Sequence, residues 1–137
     1  MASILVVGPD AALLEGVAQT LTGAGHQVVV AGDIPESLDL LRGSHPLVAV
    51  VSCDELEVRG AMLQALVAQG GAVIAFHCDD DDSRLPYRIK RTTLAELKLP
   101  LERQRLLALV KYVENRARAA GRDSFREEDE SPRLEPM

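Results

Sequence analysis

The 137-residue chain is long enough for one domain with layers on either side of a core, and its 47% apolar content, mostly aliphatic, can fill that core. Aromatic residues make up 3% with no Trp, which argues against a stacking platform for single-stranded nucleic acid, and no apolar run approaches the ~20 residues of a membrane span. The net charge of −6 is unevenly spread: residues 1–82 hold two Arg against twelve acids, residues 83–121 ten Lys/Arg against three Glu, and residues 122–137 three Arg against six acids.

In chain order, Ile4–Val7 is a buried strand, and Ala11–Thr22 is a helix with Leu14, Val17, Ala18 and Leu21 on one face, ended by Gly23 and Gly25. His26–Ala31 is a second strand. Asp33, three residues before Glu36 with Pro35 between, starts a short helix that ends near Gly43. Leu47–Val51 is the third strand, Ala61–Gln69 a third helix closed by Gly70 and Gly71, and Ala72–Phe76 the fourth strand. The stretch with Asp79–Asp82 and Pro86 disfavours a regular helix, so the fourth helix is expected to be short or irregular. Thr93–Leu97 is the fifth strand. Leu101–Ala120 is the longest helix, with Leu106, Val110, Val113 and Ala117 as its apolar stripe and Gly121 as its stop. Residues 121–137 read as a disordered acidic tail after a domain of residues 1–120.

Five apolar strands alternating with helices imply a parallel sheet covered on both faces, and the natural form is a flavodoxin-like doubly wound α/β fold of order 2-1-3-4-5. Its working edge lies at the carboxyl ends of the strands, at Gly8/Pro9, Ser52/Cys53, His77/Cys78 and Lys98/Leu99. The N-terminus shows no signal-peptide pattern, and Cys53 and Cys78 make no disulfide framework, so a reducing cytoplasm is expected.

The segment ILVVGPDAALLEGVAQTLTGAGHQVVVAGDIPESLDLLRGSHPLVAVV resembles the first half of a response-regulator receiver domain, and LKLPLERQRLLALV its last strand and helix. The likeness spans roughly residues 3–116 and is weakest from Asp79 to Thr93. It implies a magnesium-dependent aspartyl-phosphate switch: an acidic pair after the first strand, an acceptor Asp after the third, a Thr or Ser after the fourth, and a Lys before a proline after the fifth. In this chain Gly8 and Pro9 stand in place of the acidic pair, and Asp10 matches a third acid that often follows it. Ser52 stands at the acceptor position, His77 at the hydroxyl position and Leu99 at the lysine position, while Glu96 replaces an aromatic. Asp54 lies two residues past the acceptor position and Lys98 one residue early. Magnesium needs carboxylate oxygens beside its waters, and a serine hydroxyl is a weak nucleophile without a base, so the family reaction is not expected here.

Rival readings of the same residues are weaker. A hydrolase built on Ser52, His77 and Asp54 lacks a nucleophile-elbow glycine pattern. A metal or thiol site of Cys53, Cys78 and His77 lacks C-x-x-C spacing, and the Asp79–Asp82 loop lacks the spacing and glycine of a calcium loop. Neither a metal nor a cofactor is expected.

The basic set is Arg84, Arg88, Lys90, Arg91, Lys98, Arg103, Arg105, Lys111, Arg116 and Arg118. In the receiver family this region is where partners and dimer mates bind. Arg84, Arg88, Lys90, Arg91, Lys98 and Arg105 are the expected contacts for a protein partner, including an acidic one or a second copy; membrane is not expected and nucleic acid is disfavoured by the overall acidity. The expected function is a stand-alone, non-enzymatic interaction module in bacterial signalling, independent of phosphorylation. The alternatives are a switch modified at a substitute Asp54, His77 or Ser52, and a sensor that takes a small molecule in the emptied pocket.

Overall fold

A computed structural model describes residues 2–59, 67–77 and 91–129, with the side chains of 59 and 120–129 excepted. Within these, β1 (Ser3–Val7), β2 (Gln27–Ala31), β3 (Val48–Ser52), β4 (Ala72–His77) and β5 (Thr93–Lys98) form one all-parallel sheet of order β2-β1-β3-β4-β5. This is the doubly wound order expected from the sequence. The helices are α1 (Ala11–Gly23), α2 (Ile34–Leu41), α3 (Cys53–Arg59) and α4 (Arg103–Asp129), numbered among the described residues.

Alternation along the strands sends successive side chains to opposite faces and splits the core in two. Ile4, Val6, Val48, Val50, Ile74, Phe76 and Leu97 pack with Leu14, Val17 and Leu21 of α1 and with Leu106, Val110 and Val113 of α4. On the other face Leu5, Val7, Ala49, Val51, Val73 and Ala75 pack with Ile34 of α2 and Leu56 of α3. The central strand β3 is buried along its whole length, which is why it reads as an unbroken apolar run.

Two helix boundaries differ from expectation. Helix α3 begins directly after β3, eight residues ahead of the expected Ala61, and Val67–Gln69 are not helical; residues 60–66 lie outside the described residues. The physical cause is a start signal at Ser52. Its hydroxyl accepts the Glu55 backbone N–H at 3.3 Å, and Asp54 and Glu55 stand in the first turn, where the helix dipole favours acids. Helix α4 passes through the expected stop at Gly121 and continues to Asp129. A single glycine inside a helix costs only about 1 kcal/mol, and the Arg and Glu residues that follow are good helix formers. The expected irregular fourth helix around Pro86, the Asp79–Asp82 loop and residues 130–137 lie outside the described residues.

Candidate functional site

The carboxyl ends of β1, β3, β4 and β5 converge on one rim, and its residues are held as follows. Gly8 is buried, and its N–H donates to the Ala31 carbonyl at 3.2 Å. A Cβ placed on Gly8 would stand 3.1 Å from Phe76 Cζ, 3.3 Å from Leu14 Cδ2 and 3.4 Å from Ser52 Cβ. The space that an acidic side chain would enter at this position is thus bounded by an aromatic ring, a leucine methyl and the serine. Phe76 is 2% exposed and belongs to the core beneath the rim.

The polar groups that remain are engaged in local backbone contacts. Asp10 is the N-cap of α1 and accepts the Leu13 N–H at 3.2 Å. Ser52 is buried and caps α3 as described above. Glu55 reaches across to α2, where its Oε2 accepts the Ile34 N–H at 2.8 Å. Asp33 caps the same helix by accepting the Glu36 N–H at 2.8 Å, while Glu36 Oε1 accepts from the Gly32 N–H at 2.5 Å. The sequence pattern of an acid three residues before a glutamate is therefore realised, although Glu36 reaches one residue beyond the cap.

At the other side of the rim His77 is half-buried, and its carbonyl accepts the Leu99 N–H at 3.1 Å. His77 Nδ1 is buried and meets no hydrogen-bond partner among the described residues. No hydrogen bond joins Ser52 to His77 among those residues, so a serine–histidine relay is not assembled. Leu99, at the lysine position, is 1% exposed and packs in the core with Leu97 and Leu106; the Leu99–Pro100 peptide is cis. Strand alternation places Lys98 on the face opposite Leu97. Cys53 is buried in the α2/α3 core, and Cys78 lies outside the described residues. Among the described residues no group of three or more His, Cys, Asp or Glu side chains is placed to hold a metal ion.

Sequence reasoning brought Gly8, Ser52, His77 and Leu99 to one edge, and the structure places them there. It missed Phe76 as the group that fills the space beside Gly8, and Glu55 and Glu102 as backbone acceptors. The Ser52-x-x-Glu55 spacing was the available signal for α3, since a hydroxyl followed three residues later by a glutamate marks a helix start. Replacing Ser52 by alanine is expected to destabilise the fold by about 1 kcal/mol, the usual cost of losing a cap, as read by urea unfolding.

Glu102 closes the turn from β5 into α4. Its Oε1 accepts the Lys98 N–H at 2.7 Å, its own N–H donates to the Lys98 carbonyl at 2.7 Å, and its Oε2 pairs with Arg105 at 3.3 Å. The Lys98 backbone N–H, foremost, and then Arg105 hold its carboxyl below the ordinary value of 4.5, against a smaller desolvation that raises it. A folded value below the unfolded one means that stability is present above the unfolded value and is lost as pH falls through the folded one. The Glu102→Gln variant is therefore expected to show a shallower loss of stability as pH falls from 4.5, in unfolding curves measured across that range.

The basic residues divide in the same way. Arg91 and Arg105 are exposed and Lys98 is half-buried, whereas Arg84, Arg88 and Lys90 lie outside the described residues. On α4, Arg105 pairs with Glu102, Arg118 with Glu114 at 3.6 Å, and Arg116 lies 5.4 Å from the Tyr112 ring centroid. No helix among the described residues is long and apolar enough to cross a membrane.

No protein-family model and no curated protein matches the chain. Solved structures do. NtrX from Brucella abortus in complex with ADP is similar at a TM-score of 0.75 and 18% identity, over 99% of this chain and 31% of that one. A CheY-like response regulator receiver domain protein from Methanospirillum hungatei is similar at 0.64 and 19%, over 82% of this chain and 97% of that one. Full-length FixJ from B. japonicum is similar at 0.67 and 22%, over 95% of this chain and 66% of that one. The chain spans less than a third of the NtrX chain, and at these identities the likeness concerns the fold. Its sheet order, its two-sided core and these similarities together show that the chain has the fold of response-regulator receiver domains.

Proposed function

We propose that the chain is an atypical receiver-like domain, built without a phosphorylation switch, that acts in bacterial signal transduction by binding another protein. One observation carries the reading: the position of the first metal-binding acid is Gly8, and the Phe76 ring borders the space a longer side chain would need. The nearby oxygens support it, because Asp10, Ser52 and Glu55 each accept a backbone N–H of a helix start. Gly8 and Pro9 add only backbone carbonyls, a poor donor set for magnesium. In this reading residues 1–120 are the receiver-like unit, residues 121–137 an acidic extension, and the protein is not an enzyme.

The partner surface is the basic region of β5 and α4 with its preceding segment: Arg84, Arg88, Lys90, Arg91, Lys98 and Arg105. Arg103 and Lys111 are exposed there beside the locally paired Arg105 and Arg118, which favours an acidic protein surface or a second copy as the mate.

The test is incubation of the purified protein with acetyl phosphate or phosphoramidate and Mg²⁺, followed by intact mass. An unchanged mass is expected. A stoichiometric phosphoryl adduct overturns the reading, and its acid or base lability then tells an acyl phosphate at Asp54 from a phosphohistidine at His77 or a phosphoserine at Ser52.

A further inference from the structure

The two edges of the sheet are built differently. β5, at one edge, has the sequence TLAELK, which carries Glu96 and Lys98, and its pairing with β4 has a register irregularity between Val73 and Ile74. Charges and bulges on an edge strand are the usual devices that stop further strands from adding. β2, at the other edge, has the sequence QVVVA with neither charge nor proline, and it pairs with β1 in unbroken register from Gln27 to Ala31.

The hydrogen bonds of β2 show which backbone groups are left over. Gln27 donates its N–H to the Ala2 carbonyl at 2.9 Å, and the Ala31 carbonyl accepts from the Gly8 N–H at 3.2 Å. Residues 27 and 31 thus face β1, and the alternation of a parallel strand gives Val29 the same direction. The N–H and C=O groups of Val28 and Val30 consequently point away from the sheet, where no described element pairs with them. On this open edge strand Val30 is 39% exposed, a large apolar side chain that a bound strand would cover.

The helices that pack against β2, α1 on one face and α2 on the other, carry three exposed acids, Glu15 on α1 and Glu36 and Asp39 on α2, against one exposed base, Arg42 at the C-cap of α2. A two-fold pairing of β2 with β2 of another copy would set these acids against their own equivalents, which disfavours self-association along this edge.

We propose that the β2 edge is a docking site for an extended segment of another protein, alternating apolar and Lys/Arg residues, that adds as a sixth strand to the five-stranded sheet. The main-chain groups of Val28 and Val30 supply its hydrogen bonds, Val30 on the α1 face its apolar contact, and Glu36 and Asp39 of α2, on the opposite face, its charge preference. This site lies on strand β2, not on the basic region of β5 and α4, and it does not depend on the phosphorylation reading.

The probe is a capped peptide of alternating lysine and valine, titrated into the full chain and followed by amide hydrogen exchange and NMR shifts. Exchange is expected to slow at Val28 and Val30 and to change little at Gln27 and Val29, whose amides are already bonded inside the sheet. A peptide with glutamate in place of lysine is expected to bind about tenfold more weakly. The Val30→Lys variant, checked by circular dichroism, is expected to lose the lysine peptide by a similar factor through edge repulsion. Should that variant misfold, Val30→Pro replaces it, since it deletes an outward N–H without breaking the ladder. Unchanged exchange at Val28 and Val30 under millimolar peptide, or equal binding of the glutamate peptide, overturns the proposal. So does a sedimentation experiment in which self-association alone protects the same two amides.

Discussion

A mutant cycle between Gly8 and Phe76 is expected to show strong coupling. Phe76→Ala alone should cost about 3–5 kcal/mol, the usual range for truncating a fully buried aromatic, because Phe76 is 2% exposed and belongs to the core cluster that holds Leu14, Leu97 and Leu99. Gly8→Asp alone should cost about 1–3 kcal/mol through overpacking, more if the carboxylate is held away from water. Its Cβ already stands 3.1 Å from the ring, and the carboxyl group beyond it has Leu14 and Ser52 as further neighbours. In the double variant the ring is gone, so the loss should fall short of the sum of the single losses. Strict additivity in urea unfolding would mean that the ring does not restrict this position. The double variant is also expected to remain unphosphorylated by acetyl phosphate, since Ser52 still occupies the acceptor position.

The second large effect is expected at the opposite end of the sheet. A Cβ on Gly71 would run into the backbone carbonyl oxygen of Leu47 and stand 2.9 Å from that of Ala68. These oxygens cannot rotate aside as a flexible side chain would. They also accept hydrogen bonds that launch β4: Ala72 N–H donates to Leu47 at 3.0 Å, and Gly71 N–H donates to Ala68 at 2.8 Å. Gly71→Ala must displace one or both, and a loss of about 3 kcal/mol is expected from strain together with weakened hydrogen bonds. A denaturation midpoint within error of the parent protein would contradict the contact. Because Gly71 precedes β4 and the rim follows it, the variant should leave the surroundings of Gly8 and Ser52 intact where it folds.

The sheet was legible in the sequence because its signal is redundant. Runs such as Val28–Val30 and Val48–Val51 are β-branched and uncharged, so strand type and two-sided burial are read from the same residues. The absence of an acidic pair at Gly8 and Pro9 was equally plain, as identity alone decides it. Less visible was what fills the gap. Phe76 reads as one more apolar strand residue, and only the fold brings its ring to the backbone of Gly8, 68 positions away in the chain. The start of α3 at Cys53 is less visible for a different reason: Cys53–Arg59 is short and acid-rich, and its apolar periodicity is weak beside that of Ala61–Gln69. The start signal at Ser52 and Glu55 outranks periodicity in so short a helix. At Gly121 the reverse error arose, where a local breaker was given more weight than the helix formers on both sides.

The bond from Glu55 to the Ile34 amide has a consequence for how this face opens. It joins the first turn of α3 to the first turn of α2 across 21 residues of chain. Neither helix can fray at its start without exposing a donor or an acceptor that the other satisfies, so the two tend to unlatch as one cooperative unit. A protein that gripped either helix would stiffen its neighbour as well, with no rearrangement of the sheet beneath them.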